Sequence, residues 1–583
     1  MTKRDLRIRE HLLIGLALLG LGAMVGRLIY IKSFQGVRLA AKADRQQRAD
    51  IPIKARRGLI LDARGRIISA TTLRTSVFAD PQVLPDTQVA AETVAGILEL
   101  DPAEIAPDLL AAGDRRFFVI KRGITEAQAE QIRAAGIYGL GTFSEPFRSY
   151  PMEELAAATI GFVSPDGTGI SGIEHQCDHW LRGENGVKTI VRDARRKAFW
   201  LAEEGYRPAR DGYHVVLTID AEIQTAVESE LEAGVSRFNA ESGVAVVIHP
   251  HTGAVLAMAN YPSFDPNHYT DFGEERYRNR VITDPYEPGS TFKPFIAAAA
   301  LAENVVHPGE VFDCEHGAWT EGARTLKDHH PYDFLSFEEI LIKSSNIGMG
   351  KLGLRLGNRK LYEYVTKCGF GEPTGVGLEG ESEGLLRPLV RWNAFSTTSL
   401  PMGQEIGVTP MQLARSFCIF ANGGKLVTPY VIRAIVDAEG RVVQDMTPPE
   451  TESEPVYPPE VLDVMRKILC SVVNDSPRGA AQLPSHQVFG KTGTAQIARK
   501  DGRGYEKRAY VSSFVAGVPA ENPELVAFVA IRRPDASVGY YGGQVAAPVV
   551  KEILRHSLAY LRIPGDIAPD ASRATAMHED FAD

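Results

Sequence analysis

Residues 286–302 read Tyr286-Glu-Pro-Gly-Ser290-Thr-Phe-Lys293-Pro-Phe-Ile296-Ala-Ala-Ala-Ala-Leu-Ala302. Pro288-Gly289 forces a turn, and Pro294 is tolerated only in the first turn of a helix. Ser290 therefore falls at a helix start, with Lys293 one turn on and on the same face. The positive end of the helix dipole favours negative charge developing beside that serine. A lysine three residues on can take the serine's proton, provided it is neutral when attack begins. Bringing a lysine from about 10.4 to near 7 corresponds to about 4–5 kcal/mol, which burial or a cationic neighbour must supply. The alanine-rich helix that follows offers a low-dielectric wall. This Ser-x-x-Lys is the only one in the chain, although chance alone can produce the pattern at this length.

Two further motifs lie downstream. Lys343-Ser344-Ser345-Asn346 ends the amphipathic stretch Phe337–Ile342. Ser344 and Asn346 would share one side of a turn, offering a hydroxyl relay and an amide that both donates and accepts; alone, the motif is a plain helix cap. Val488-Phe-Gly-Lys491-Thr-Gly-Thr494-Ala-Gln496 reads as an edge strand whose Gly493 lets another backbone approach closely. Lys491, Thr492 and Thr494 flank that glycine and could bind a carboxylate.

Further out, His214–Ile219 reads as a strand, Asp220 caps a helix to about Phe238, and strands Gly243–His249 and Gly253–Ala259 meet at a Pro250–Gly253 turn. Strand, helix, then hairpin is an α/β layout. Residues 33–215 form a mixed, irregular module: Gly58–Asp62 and Ile67-Ile68 read as a hairpin, and helices are expected over Val89–Glu99 and Glu126–Ala135, the second capped by Thr125. Pro448-Pro449 through Pro458-Pro459 is a loop or linker, and the stretch from about Pro564 lacks an apolar period, as a disordered tail does.

At the other end, Leu12 to Ile31 is a 20-residue apolar stretch. As a helix it spans about 30 Å, the thickness of a bilayer core. It is longer than the usual h-region of about 7–15 residues and no clear Ala-x-Ala site follows, so a retained signal anchor fits better than a cleaved signal peptide. Lys and Arg flank it on both sides and do not decide its orientation. The short N-terminal flank and the long body after the span favour an exported body. Residues 1–66 hold 15 Lys and Arg against 5 Asp and Glu, net +10, and the remainder holds 49 against 68, net −19. An acidic body argues against a phosphate-backbone binder, so nucleic acid is not an expected partner. The five cysteines lie far apart without a C-x-x-C pair, as buried small hydrophobes do. Asp328-His329-His330 and His249/His251 lack the further ligands that a metal site needs.

Ser290 and Ser344 are 54 residues apart, and Ser344 and Lys491 147. In this order and spacing the three motifs resemble those of the penicillin-recognising serine acyltransferases. Arg278–Asp284 through Pro294, Ser344–Gly353, Gly369–Gly371 with Thr374-Gly375, Met402–Ala414, Ala421–Gly424 and Tyr541–Gly543 look like class B penicillin-binding proteins. So do Arg57–Asp62, Arg148–Pro151 and Gly172–Glu174 in the N-terminal module, which resemble that class's pedestal. The pedestal departs in detail: Asp62-Ala-Arg-Gly65 stands where relatives often carry Asp-Arg-Asn-Gly, and Met152 follows Tyr150-Pro151 where a glycine is frequent.

The resemblance implies an α/β (α+β) penicillin-recognising serine transpeptidase fold, preceded by a mixed α+β pedestal and one transmembrane helix. The expected organisation is a cytoplasmic tail over 1–11, an anchor over 12–31, a pedestal or dimerisation domain over 32–215, a transpeptidase domain over 216–562 and a disordered tail over 563–583. It implies a serine-type D-Ala-D-Ala transpeptidase of the plasma membrane with its body on the extracytoplasmic side. Ser290 would attack the penultimate D-Ala of a stem pentapeptide, and Lys293 would be the general base. Ser344 would relay the proton to the departing D-Ala, and Asn346 would bind the donor backbone. Lys491 would set the local positive potential, while Thr492, Gly493 and Thr494 would hold the substrate, with the backbone N–H groups of Ser290 and Thr494 as oxyanion hole. β-Lactams would acylate the same serine, and no metal or organic cofactor is expected. Membrane lipid, a membrane glycosyltransferase and a division or elongation complex are implied partners.

Three rivals share parts of this pattern. A β-lactamase needs a base that activates water for deacylation, a β-lactam sensor needs a cytoplasmic signalling domain, and a pure scaffold has no need of an intact motif triplet. Within the class, Arg278-Asn-Arg with Thr283–Ser290 looks most like the septal type, with elongation and sporulation enzymes as alternatives.

Overall fold

The apolar stretch 12–31 lies in a helix, Lys3–Tyr30, that begins well before it, and a π-turn over Ile31–Gln35 continues it. Large apolar side chains are exposed all around this helix. No polar stripe is left to face water, and the segment is long and apolar enough to cross a membrane. This computed structural model describes residues 3–38, 48–115, 117–192, 198–322, 324–449, 454–474, 480–499, 501 and 504–567. Most of the polar stretch after the span, 39–47, and the end of the expected tail, 568–583, lie outside the described residues.

The chain divides into two compact units, residues 1–56 with 183–212, and residues 57–182 with 213–583. The first holds the apolar helix and a three-stranded antiparallel sheet, in which Gly186–Arg192 lies between Arg48–Ile53 and Ala198–Arg207.

The second unit joins most of the pedestal to the transpeptidase residues, because one sheet runs through both. Strand His214–Leu217 pairs in parallel with Ile60–Leu61 and antiparallel with Ile432–Val436. The expected hairpin is present, with Ile60–Leu61 against Ile67–Ala79, and Asp62 closes its turn by accepting from the N–H of Arg64 (2.9 Å) and Arg66 (2.7 Å). Gly65 takes the left-handed conformation that this turn requires. The two expected helices run over Thr87–Leu98, capped by Asp86, and Glu126–Ala134, closed by a capping box between Thr125 and Gln128.

The three pedestal motifs, far apart in sequence, meet at one carboxylate. Glu174 is fully buried, and it receives Arg57 Nε at 2.7 Å and Arg148 Nε at 2.6 Å. Ser69 Oγ donates to it at 3.1 Å, and Asp178 pairs with Arg57 at 2.6 Å. A buried carboxylate with two guanidinium partners and extra donors is fully compensated.

The transpeptidase body starts with helix α1, Ala221–Arg237, capped by Asp220. Strands β1 (Ser242–Ile248) and β2 (Val255–Tyr261) follow, then helices α2 (Lys293–Ala302), α3 (Phe337–Ile342), α4 (Asn346–Lys367), α5 (Pro410–Phe417) and α6 (Pro459–Asn474). Helix α6 begins inside the proline-rich stretch read as a linker, because proline is tolerated in a helix's first turn. Strands β3 (Phe489–Ala498), β4 (Tyr505–Val518) and β5 (Leu525–Arg532) and helix α7 (Ala547–Leu561) complete the body. The sheet is antiparallel throughout, in the order β2-β1-β5-β4-β3. On β1, Ala245 and Val247 pack in a core with Val227 and Leu231 of α1 and Ile553 of α7, while Val244 and Val246 pack in another with Ile296 of α2 and Phe417 of α5. Burial on both faces explains why β1 reads as a continuous apolar run. Of the expected tail, Ile563 to Ile567 are docked: Asp566 accepts from the N–H of Gln487 at 2.7 Å and of Ala520 at 3.0 Å.

Candidate active site

Ser290 sits in a 3-10 turn, Gly289–Phe292, and α2 starts at Lys293. Helix α2 is sheathed in apolar neighbours, and Lys293 has no solvent exposure. The turn is cradled by the stretch after Met402. Gly289 N–H donates to Gly403 O at 3.1 Å, and Tyr286 and Val408 exchange backbone hydrogen bonds at 3.0 and 2.9 Å. A Cβ on Gly403 would lie 2.2 Å from Gly289 O, so only glycine permits this approach.

Ser344 occupies the joint between α3 and α4 with φ of +58°, left-handed backbone that is strained for a serine. Ser345 caps α4 by accepting from Gly348 N–H at 3.0 Å. That joint turns the Ser344 side chain toward the serine of the first motif. Strand β3, at the sheet edge as its sequence suggests, brings in the third motif. At Gly493, a Cβ would meet Ser513 Oγ at 2.5 Å and Thr291 Cγ2 at 2.9 Å, which is the close approach expected there.

The result is a hub at one hydroxyl. Ser344 Oγ donates to Ser290 Oγ at 2.9 Å and accepts from Lys293 Nζ and Lys491 Nζ, both at 3.2 Å. A hydroxyl has one proton and two lone pairs, so these three contacts saturate it. Ser344 O (2.6 Å), Asn346 Oδ1 (2.9 Å) and Ser345 O (3.3 Å) also lie within hydrogen-bond reach of Lys293 Nζ, so with Ser344 Oγ there is one acceptor more than an ammonium can serve at once. These acceptors favour the ammonium, but burial and the Lys491 charge weigh more and hold Lys293 well below the ordinary lysine range. Burial alone pushes Lys491 down to about 7. An amine of lowered basicity, one hydroxyl from a serine at a helix start, is the equipment for nucleophilic acyl transfer.

All the residues singled out from the three motifs lie in this neighbourhood, with the threonines engaged differently from the lysines. Thr494 Oγ1 accepts from Gly542 N–H at 3.0 Å. Thr492 lines a cleft of about 1040 Å³ with Lys343, His330, Tyr541 and Gly543. Strand β3 at Thr494-Ala495 runs against Gly289, which brings the backbones of the two proposed oxyanion-hole residues together. Among the described residues neither His pair joins a metal-like set: His249 pairs with Glu524, His251 contacts Pro523 O, and His329 meets the Tyr541 ring edge-on at 6.0 Å.

Sequence reasoning missed two carboxylates. Asp328 accepts from Ser345 Oγ at 2.7 Å, from Ile347 N–H at 3.1 Å and from Asn346 N–H. Glu287 accepts from Glu405 N–H at 3.0 Å and from Tyr505 OH at 2.9 Å, tying the serine turn to β4. The signal was present for Glu287, three residues before Ser290, but no local pattern links Asp328 to a turn 17 residues on.

Residues 243–555, more than half of the chain, match the family described as the penicillin binding protein transpeptidase domain. The chain belongs to that family. Residues 52–217 match the penicillin-binding protein dimerisation domain, and the pair of modules is that of a class B penicillin-binding protein. The transpeptidase is 34% identical over 573 residues, 98% of each chain, to a protein of Pseudomonas aeruginosa named probable peptidoglycan D,D-transpeptidase PbpC. It is 31% identical to stage V sporulation protein D of Bacillus subtilis, covering 92% of this chain and 83% of that one. It is 30% identical to peptidoglycan D,D-transpeptidase FtsI of Escherichia coli, covering 97% and 95%. Among solved structures, penicillin binding protein 3 of Mycobacterium tuberculosis in complex with aztreonam superposes with a TM-score of 0.68 at 26% identity, covering 89% of this chain and 98% of that one.

Proposed function

We propose that Ser290 is the acylated serine of this peptidoglycan D,D-transpeptidase and that Lys293 is the base that activates it. The observation that carries the reading is the Ser344 hydroxyl, which touches Ser290, Lys293 and Lys491 at once. Ser290 Oγ attacks the carbonyl carbon of the penultimate D-Ala, and its proton passes to the Lys293 amine by way of Ser344, whose hydrogen bonds to Ser290 and Lys293 both reverse direction for the transfer. Negative charge on the former carbonyl oxygen is met by the backbone N–H groups of Ser290 and Thr494. The C–N bond to the terminal D-Ala breaks, and the leaving amine takes, through Ser344, the proton that Lys293 received. The amine of a neighbouring stem peptide then attacks the ester and loses its proton to Lys293. The ester C–O bond breaks, and that proton returns to Ser290 Oγ, which restores the site. Asn346 binds the donor backbone, and Lys491 with Thr492 and Thr494 receives the substrate carboxylate. A β-lactam follows the first half of this path and stops at the ester.

The apolar helix anchors the chain in the plasma membrane, with the transpeptidase body on the extracytoplasmic side where its substrate is. A membrane glycosyltransferase that makes the strands to be cross-linked is the expected partner. The Arg278–Ser290 phrase and the FtsI relative support a role in septal wall synthesis. Depletion in the host tests that role: filaments support it, and rounded cells point to elongation.

The assignment of the serine is tested on the full chain in detergent with labelled penicillin. The adduct is expected on the peptide that contains Ser290. Labelling that survives Ser290→Ala sinks the assignment.

A further inference from the structure

The Ser344–Asn346 turn is held from below by a residue that belongs to none of the three motifs. Asp328 follows the hairpin of Ala318–Glu321 and Arg324–Lys327. That hairpin is seated on α4, since a Cβ on Gly350 would lie 2.8 Å from Leu326 Cδ1 and 3.1 Å from the Trp319 ring. Asp328 N–H donates to Gly317 O at 3.1 Å, and Lys327 O accepts from Asn346 Nδ2 at 3.0 Å. From this fixed position one carboxylate spans the turn. Oδ2 takes the Ser345 hydroxyl, and Oδ1 takes the first two backbone N–H groups of α4, those of Asn346 and Ile347. A residue with φ of +58° keeps that conformation only where its surroundings over-determine it. Here the restraint falls on the residue immediately after Ser344 and on the two after that.

The same carboxylate stands behind Lys293: it accepts from the N–H of Asn346, whose Oδ1 accepts from Lys293 Nζ at 2.9 Å. Lys293 is surrounded by Lys491 from β3, which pushes its proton off, by Asp328, which holds it on, and by the His329 imidazole. His329 is itself kept below the ordinary imidazole range by burial and by Lys293, so near neutral pH it adds little charge. A base that is too weak cannot take the serine's proton, so burial and a second lysine need a counterweight.

We propose that Asp328 is a positioning residue of the acyl-transfer site, whose single carboxylate both fixes the Ser344–Asn346 turn and keeps Lys293 basic enough to act. This deepens the assignment of Lys293 as base and rests on it. The two roles separate experimentally. Asp328→Asn retains the shape and an acceptor oxygen but removes the charge, and Ser345→Ala retains the charge and both backbone bonds but removes one restraint.

The test is the pH profile of the second-order rate of acylation by labelled penicillin, measured on the full chain in detergent together with thermal melting. The sign is set by the charge. Without the Asp328 carboxylate the Lys293 ammonium is less favoured, so the acid limb moves to lower pH. A shift of about half to one unit makes the normalised rate on that limb roughly three- to tenfold faster than wild type. Ser345→Ala is expected to lower the plateau roughly ten- to a hundredfold, as loss of one hydrogen bond to a charged group does, with the limb unmoved. A limb for Asp328→Asn that superimposes on wild type or moves up overturns the electrostatic role, and a wild-type plateau for Ser345→Ala overturns the restraint. Should Asp328→Asn melt below the assay temperature, Asp328→Glu carries the test: a lowered plateau with an unmoved limb supports the proposal, and a shifted limb overturns it. Lys293→Arg distinguishes the layers. If that variant still acylates, the base assignment fails and this proposal with it. If it is inert while the Asp328→Asn limb is unmoved, only this proposal fails.

Discussion

Glu174 and Lys293 are both ionisable side chains with no solvent exposure, in the same compact unit of one chain. Around Glu174 the charged partners are of the opposite sign: Arg57 and Arg148 lie against its two oxygens, Ser69 donates to it, and Asp178 takes the far side of Arg57. Around Lys293 the nearest charge of comparable burial is another lysine, opposed only by Asp328 behind the Ser344–Asn346 turn, and the direct hydrogen-bond partners are neutral oxygens. Burial costs both groups hydration. Opposite charges compensate that cost, whereas a like charge adds to it and holds the lysine well below its ordinary range. The first arrangement holds motifs together across more than a hundred residues of sequence. The second leaves a proton poised to move, which is what acyl transfer needs.

The contrast breaks most readily at Lys293. Lys293→Arg keeps a cation at the site, but guanidinium does not release its proton in this range, so acylation by labelled penicillin should fall at least about a thousandfold, the scale of losing a general base. A variant within tenfold of wild type would show that charge, not basicity, is what matters there. Next in size is Glu174→Gln. Removing the carboxylate leaves the buried Arg148 guanidinium without a counter-charge and Arg57 with Asp178 alone, at a cost of about 3–5 kcal/mol. Denaturant unfolding should show that loss while the folded protein still acylates within a few-fold of wild type. A large loss of acylation without a loss of stability would mean that the pedestal cluster takes part in the chemistry.

Lys491→Ala sharpens the comparison by taking away the like charge. Lys293 then regains part of its basicity, and the acid limb of acylation should move to higher pH, opposite to the shift expected for Asp328→Asn. Its rate at the plateau should fall about ten- to a hundredfold for want of positive potential toward the substrate carboxylate. An unmoved limb would show that the two lysines do not influence each other. The smallest effect is expected at Tyr505→Phe, which removes one hydrogen bond from the Glu287 carboxylate. About 1 kcal/mol, read as a change of a few-fold in acylation, tests whether the serine turn depends on its tie to β4.

What could be read from the sequence follows the same division. Acyl transfer demands a serine, a lysine one turn on, and a few polar groups, and those requirements are local enough to show as Ser290–Lys293, Ser344–Asn346 and Lys491–Thr494. The capped helices and the edge position of β3 were legible too, because each rests on short-range chemistry. Compensation is not local. Arg57, Arg148 and Glu174 were recognisable as separate pedestal motifs, but nothing in their spacing says that they share one carboxylate. Asp328 was noticed only beside two histidines as a doubtful metal ligand, since its partners Ser345, Asn346 and Ile347 are reached through the fold. The left-handed backbone of Ser344 was hidden for a related reason: a serine carries no mark of the strain its neighbours impose.

The floor of the site is made of main chain laid on main chain. A methyl group on Gly403 would meet Gly289 O at 2.2 Å, and one on Gly542 would meet Gly493 O at the same distance. A surface of that kind has no side chain to exchange. Substitutions that leave this packing intact are thereby confined to the rim, where His329 and Tyr541 meet edge to face.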